Sequence, residues 1–155
     1  MSNKIKEILI ASKAKEKLFN IKEAKVVKGK GIMGDRYYLQ KGSFSQRLKD
    51  KEDFHITFIE QEEIDSFNKK TNLNYSNDLF RRNIVTKGIG LNNLVGKRFK
   101  INDIEFLGMR LCEPCKLLSL DLGEEFLSQM VHKAGLRAKI LSSGSFTLGE
   151  SIEVL

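Results

Sequence analysis

Lys97-Arg-Phe-Lys-Ile-Asn-Asp-Ile-Glu-Phe-Leu-Gly108 holds two strand-forming runs, Lys97–Ile101 and Ile104–Gly108, on either side of Asn102-Asp103. Two such runs around a two-residue turn predict a β-hairpin. Working outward, short strand-like segments recur: Ile5, Ile8 and Ile10 with polar residues between, Ala24–Lys28, His55–Ile59, Arg82–Thr86, Leu136–Leu141 and Glu150–Val154. Glycines punctuate them. Gly29, Gly31 and Gly34 make Lys28–Arg36 a loop with positions open to positive φ, and Gly88, Gly90 and Ser143-Gly144 mark further turns.

Helical spacing is confined to a few places. Glu60–Lys70 sets Ile64 and Phe67 three apart, with acids in its first turn and lysines in its last, which suits the helix dipole. Asp78–Arg81 adds a short helical turn. Lys116–Leu120 and Glu124–His132 follow, the second with Phe126, Leu127, Met130 and Val131 on one face and Gly135 as its stop. The expectation is a mainly β, largely antiparallel barrel or sandwich with a few peripheral α-helices. Regular βαβ alternation is absent, which argues against a doubly wound parallel sheet.

The chain of 155 residues fits one domain spanning 1–155 and is long enough to bury a core without staples. Its N-terminal apolar run is short and broken by charge, and no stretch approaches the ~20 apolar residues of a membrane helix. A soluble, cytoplasmic protein is expected. The net charge of +7 suits an anionic ligand or a solvated basic surface. The basic residues are spread along the chain without aromatic-rich basic repeats, so nucleic acid is a weak expectation.

The chemistry concentrates in Cys112-Glu-Pro-Cys115, which holds both cysteines and the single proline. Four readings of this C-x-x-C compete. A structural zinc site needs four ligands, a second pair is missing, and His55 and His132 have no paired spacing. A thioredoxin-like dithiol calls for a βαβ context, whereas this motif follows a hairpin. A nucleophilic or metal-ligating thiol at Cys115 is favoured by Lys116, Arg110 and a helix predicted to start just beyond, because cations and helix N-termini lower a thiol pKa. Cys112 then serves as a resolving second thiol or is simply buried. In the fourth reading both cysteines pack as small hydrophobes. The two histidines are assigned no chemistry, His132 being most simply a dipole partner at a helix end.

Several separated segments, in order, resemble the MOSC domain, named for the C-terminal domain of molybdenum-cofactor sulfurases. Gly34-Asp35-Arg36 resembles its early Gly-Asp-Arg motif. Arg81-Arg-Asn-Ile-Val-Thr-Lys-Gly and the following Leu94-Val-Gly-Lys-Arg-Phe99 resemble its Arg-x-Asn block, and Cys112-Glu-Pro-Cys115 its cysteine segment. Gly135-Leu-Arg-Ala-Lys-Ile140 and Gly149-Glu150 resemble the closing segment, where the family commonly has Gly-Asp.

The resemblance implies a closed, mostly antiparallel barrel with surrounding helices. It also implies a molybdenum–pterin cofactor, with the matching cysteine, Cys115, ligating molybdenum or carrying sulfur as a persulfide. A cysteine desulfurase, or proteins of molybdenum cofactor biosynthesis or acceptance, would be the partners. Some relatives reduce N-oxygenated substrates, but they carry extra N-terminal sequence. Pyridoxal phosphate is not expected in so short a chain. Molybdenum favours a soft thiolate, and the pterin phosphate favours Arg and Lys. Candidates for the cofactor are Arg36, Arg81, Arg82, Lys87, Arg110, Lys116 and Arg137, with Asn83 at the pterin edge. Each has a plainer reading: Arg36 paired with Asp35, Asn83 capping a turn, and the others solvated.

Overall fold

The computed structural model describes residues 3–42, 55–114, 122–123 and 125–155, apart from the side chain of Leu127. Eleven strands are seen among them: β1 (Lys4–Ile10), β2 (Phe19–Ile21), β3 (Glu23–Val27), β4 (Gly31–Ile32), β5 (Ile56–Glu60), β6 (Ile84–Lys87), β7 (Arg98–Ile101), β8 (Ile104–Leu111), β9 (Leu136–Ile140), β10 (Gly144–Thr147) and β11 (Ile152–Val154). Helix α1 spans Gln61–Thr71 and α2 spans Glu125–Gln129, and Asn77–Phe80 and Leu91–Leu94 form 3-10 turns.

Eight strands join in the order β11-β7-β8-β9-β5-β6-β1-β2, and β10-β3-β4 form a second, small sheet. Of the pairings, β5 with β6 is parallel, its crossover supplied by α1, and the others are antiparallel. β11 and β2 do not pair, so the antiparallel barrel takes the form of a half-barrel. The two chain ends still meet: the Ile5 N–H donates to the Glu150 carbonyl at 2.8 Å, and Gly149 N–H donates to the Ile5 carbonyl at 2.9 Å.

The hairpin forms with Ile101 opposite Ile104, and Asn102 takes a left-handed φ of 55°, which asparagine tolerates. Alternation along β7, β8 and β9 sends Phe99, Ile101, Phe106, Ala138 and Ile140 inward, where Phe146, Ala24 and Val26 of the small sheet meet them. Phe58 packs edge-on against Phe99 with ring centroids 5.6 Å apart, and Phe99 stacks on Phe106 at 5.4 Å. The opposite face of the sheet carries a second core, in which Leu9, Ile59 and Val85 pack under Ile64 and Phe67 of α1 and under Phe126 and Met130.

Several elements differ from expectation. β2 and β10, at three and four residues, are too short to stand out as alternating runs, and β4 is a two-residue pairing inside the expected glycine loop. The second helix ends at Gln129 rather than at His132, and His132 at φ 60° leads the chain away. Val131 therefore leaves the buried face and is 46% exposed. The helix expected over 116–120 lies outside the described residues.

Glu60 caps the start of α1, where burial, followed by the nearby Glu63 carboxylate, pushes its carboxyl up to about 7 from an ordinary value near 4.5. A carboxyl raised on folding holds its proton more tightly in the native state, so stability falls as pH rises from about 4.5 through 7. Glu60→Gln should leave the melting temperature unchanged at pH 4 and raise it at pH 8. The gain is about 1–2 kcal/mol after allowance for solvent screening at this half-buried site. Equal shifts at both pH values would contradict that origin.

Candidate functional site around the end of β8

β8 runs past the hairpin and is bulged between Gly108 and Arg110. Gly108 opposes Ala138, Arg110 opposes Arg137 and Leu111 opposes Leu136, leaving Met109 as the extra residue. The bulge puts both Met109 and Arg110 on the exposed side. Gly108 is required there because a Cβ would fall 2.0 Å from the Leu94 carbonyl oxygen, where the Leu94–Gly96 strap crosses the strand.

Beyond Leu111 the chain is held by two anchors. Cys112 N–H donates to the Gly135 carbonyl at 2.8 Å, and its free thiol is buried at 1% exposure. Glu113 accepts from the His132 backbone N–H at 3.0 Å and lies 3.2 Å from His132 Nδ1. The His132 carbonyl in turn accepts from Asn92 Nδ2 at 2.8 Å. Cys115 and Lys116 lie outside the described residues. Cys112 and Glu113 show how the segment that bears the thiol leaves the sheet.

Three candidate basic residues adjoin this point. Arg110 and Arg137 face each other directly across β8 and β9, and Arg137 also opposes Thr57 of β5. Arg82, at 7% exposure, donates from Nε to the Ala134 carbonyl at 2.8 Å, one residue before the carbonyl that holds Cys112.

The remaining candidates stand elsewhere. Arg36 is buried and committed: its Nη1 meets Asp35 Oδ1 at 3.0 Å, its Nη2 donates to the Arg81 carbonyl at 3.0 Å, and it stacks on the Tyr37 ring at 4.4 Å. Asp35 also accepts from Ala11 N–H at 3.2 Å, so the Gly-Asp-Arg segment ties its own loop to the end of β1. Arg81 sits at φ 64° closing the 3-10 turn and donates to the Glu16 carbonyl.

Asn83 is fully buried. Its Oδ1 accepts from the Thr57 N–H and hydroxyl at 3.2 Å each, and its Nδ2 donates to the Leu9 carbonyl at 3.1 Å. Its amide thus pins β1, β5 and β6 together rather than capping a turn. Lys87 is exposed opposite Lys4. It stands three strands from β8, about 14 Å at ~4.8 Å per strand.

Among the described residues no group of three or more His, Cys, Asp or Glu could hold a metal ion. The sequence reading missed Thr57, Glu113 and the second anchor, His132. A glutamate between two cysteines was the signal for the last pair.

A half-barrel of this topology, with a cysteine segment leaving β8, defines a class of small β domains. The MOSC domain matches residues 45–153, and the chain belongs to that family, which is associated with molybdenum cofactor pathways. Solved structures share the fold at low identity. The YuaD protein of Bacillus subtilis is 17% identical with a TM-score of 0.79, over 99% of this chain and 96% of that one. YiiM of Geobacillus stearothermophilus is 12% identical with a TM-score of 0.76, over 99% and 75%. YiiM of Escherichia coli is 14% identical with a TM-score of 0.71, over 98% and 69%. No curated protein matches the chain. No helix among the described residues is long and apolar enough to cross a membrane.

Proposed function

We propose that this MOSC domain handles a molybdenum–pterin cofactor, with the Cys115 thiolate either ligating molybdenum or carrying sulfur for it. The observation that carries the reading is the face-to-face pairing of Arg110 with Arg137 beside the cysteine segment. Two cations on adjacent strands make the surface beside the cysteine segment electropositive, which favours an anionic ligand there. The same positive charge, with Lys116 next in sequence, favours a thiolate at Cys115.

The bound cofactor would supply the redox or sulfur-accepting metal. The chain's own residues would supply the soft ligand and the cations around the phosphate. In the carrier role, the Cys115 thiolate attacks the outer sulfur of a donor persulfide, such as that of a cysteine desulfurase, and the donor thiolate leaves. A reducing, cytoplasmic setting keeps both thiols available for this step.

Intact mass after incubation with a cysteine desulfurase and cysteine tests the carrier role. Wild type should gain one sulfur, lost on reduction, and Cys115→Ser should gain none. Molybdenum content after purification from a molybdate-replete host tests the ligand role. Wild type and Cys115→Ser that agree in both sulfur uptake and metal content would refute the proposal.

A further inference from the structure

The resemblance offers all three residues of Arg81-Arg82-Asn83 to the cofactor, with Arg81 and Asn83 at the fixed positions of Arg-x-Asn. The structure gives both of them other work. Arg81 reaches the Glu16 carbonyl, and the Asn83 amide is engaged by Thr57 and Leu9. Arg82, the variable position between them, is the unusual residue. It is 7% exposed, and its one hydrogen bond is from Nε to the Ala134 carbonyl. A guanidinium has five N–H donors. The four on Nη1 and Nη2 meet no acceptor among the described residues, and no carboxylate there pairs with the charge. The contrast is Arg36, equally buried, whose two Nη atoms are taken by Asp35, Tyr37 and the Arg81 carbonyl.

Neither Nη is among the fully buried polar atoms left without a partner, so the guanidinium tip reaches the surface from a residue that is otherwise buried. A guanidinium fixed by Nε and open at both Nη presents the fork that matches two oxygens of a phosphate or another tetrahedral oxyanion. Arg82 is also placed to be felt at the cysteine segment, since the Ala134 and Gly135 carbonyls that hold Arg82 and Cys112 are consecutive.

We propose that Arg82 is the buried oxyanion receptor of this domain, taking a phosphate group or molybdate through its two Nη groups. This rests on the reading of the site as one that handles an anionic cofactor. Melting curves and calorimetric titrations of the full chain with inorganic phosphate, molybdate and phenyl phosphate, against chloride at matched ionic strength, test it. Wild type should show a saturable upward shift with at least one of the three. A preference for phenyl phosphate over the inorganic ions marks the ligand as an organic phosphate, and the reverse marks a free oxyanion.

Arg82→Met should still fold in anion-free buffer, with a modest fall in melting temperature from the lost hydrogen bond to the Ala134 carbonyl. It should lose the anion-induced shift, with Kd raised at least tenfold. If the Met variant does not fold, Arg82→Gln is read by the same titration. Arg81→Gln should keep the shift. The proposal is overturned if no oxyanion shifts the wild type, or if the folded Arg82 variant keeps the wild-type response. Sulfur uptake at Cys115 is scored separately. A chain that takes up sulfur but holds no oxyanion through Arg82 overturns this inference alone, and one that holds the anion but takes up no sulfur leaves Arg82 standing.

Discussion

Gly135→Ala is expected to cost more than about 4 kcal/mol and to leave little folded protein at 37 °C, since backbone clash and backbone strain act together. Gly135 sits at φ 112°, and a Cβ there would lie 2.0 Å from the Phe58 carbonyl oxygen and 3.1 Å from its carbon. Neither obstacle is a flexible side-chain tip. Relief requires β9 to move away from β5, at the point where Leu136 opposes Phe58 under the aromatic core. Gly96 gives the control: φ is 78°, yet nothing lies within 4 Å of its added Cβ. Gly96→Ala should therefore lose only the left-handed penalty, about 1 kcal/mol. Urea unfolding of the two variants measures the difference, and similar losses would refute the packing argument.

Asn83→Ala is expected to cost about 3–5 kcal/mol, because it strands several buried polar groups at once. The Thr57 N–H and the Leu9 carbonyl would lose their partners in the buried interior, at the junction of three strands. The loss should appear equally with and without an oxyanion present, since the amide faces the fold. A small loss of stability joined to a large loss of anion binding would instead make Asn83 a ligand contact.

The hairpin, α1 and most long strands were legible because each has a periodic apolar face: Phe99 and Ile101 against Ile104 and Phe106, or Ile64 with Phe67. β2 and β10 were not, because Phe19–Ile21 and Gly144–Thr147 owe their extended form to β1 and β3 beside them. Gly135 was recognised as special but for the wrong reason. Its positive φ serves a close approach of strands, a long-range fact that no local pattern carries.

The candidate site was legible in its residue types and less so in their division of labour. Gly-Asp-Arg proved internally satisfied through Asp35 and Arg36, as its plainer reading held. In Arg81-Arg82-Asn83, neighbours in sequence separate into a turn closure, a buried cation and a strand clamp, because successive side chains leave the backbone in different directions. Thr57, which lies 26 residues from Asn83, has no local mark at all.

The extra residue in β8 has an evolutionary consequence. Between Gly108, locked under the Leu94 carbonyl, and Cys112, tied to Gly135, the count of residues is fixed at both ends. Losing or gaining one residue in that interval would exchange the faces of Arg110 and Leu111 and drive a cation toward the aromatic core. Substitution at Met109 is free to drift, whereas insertion and deletion are not. Descendants of this chain can vary the length of the thiol-bearing segment only after Glu113, the last anchor among the described residues before it.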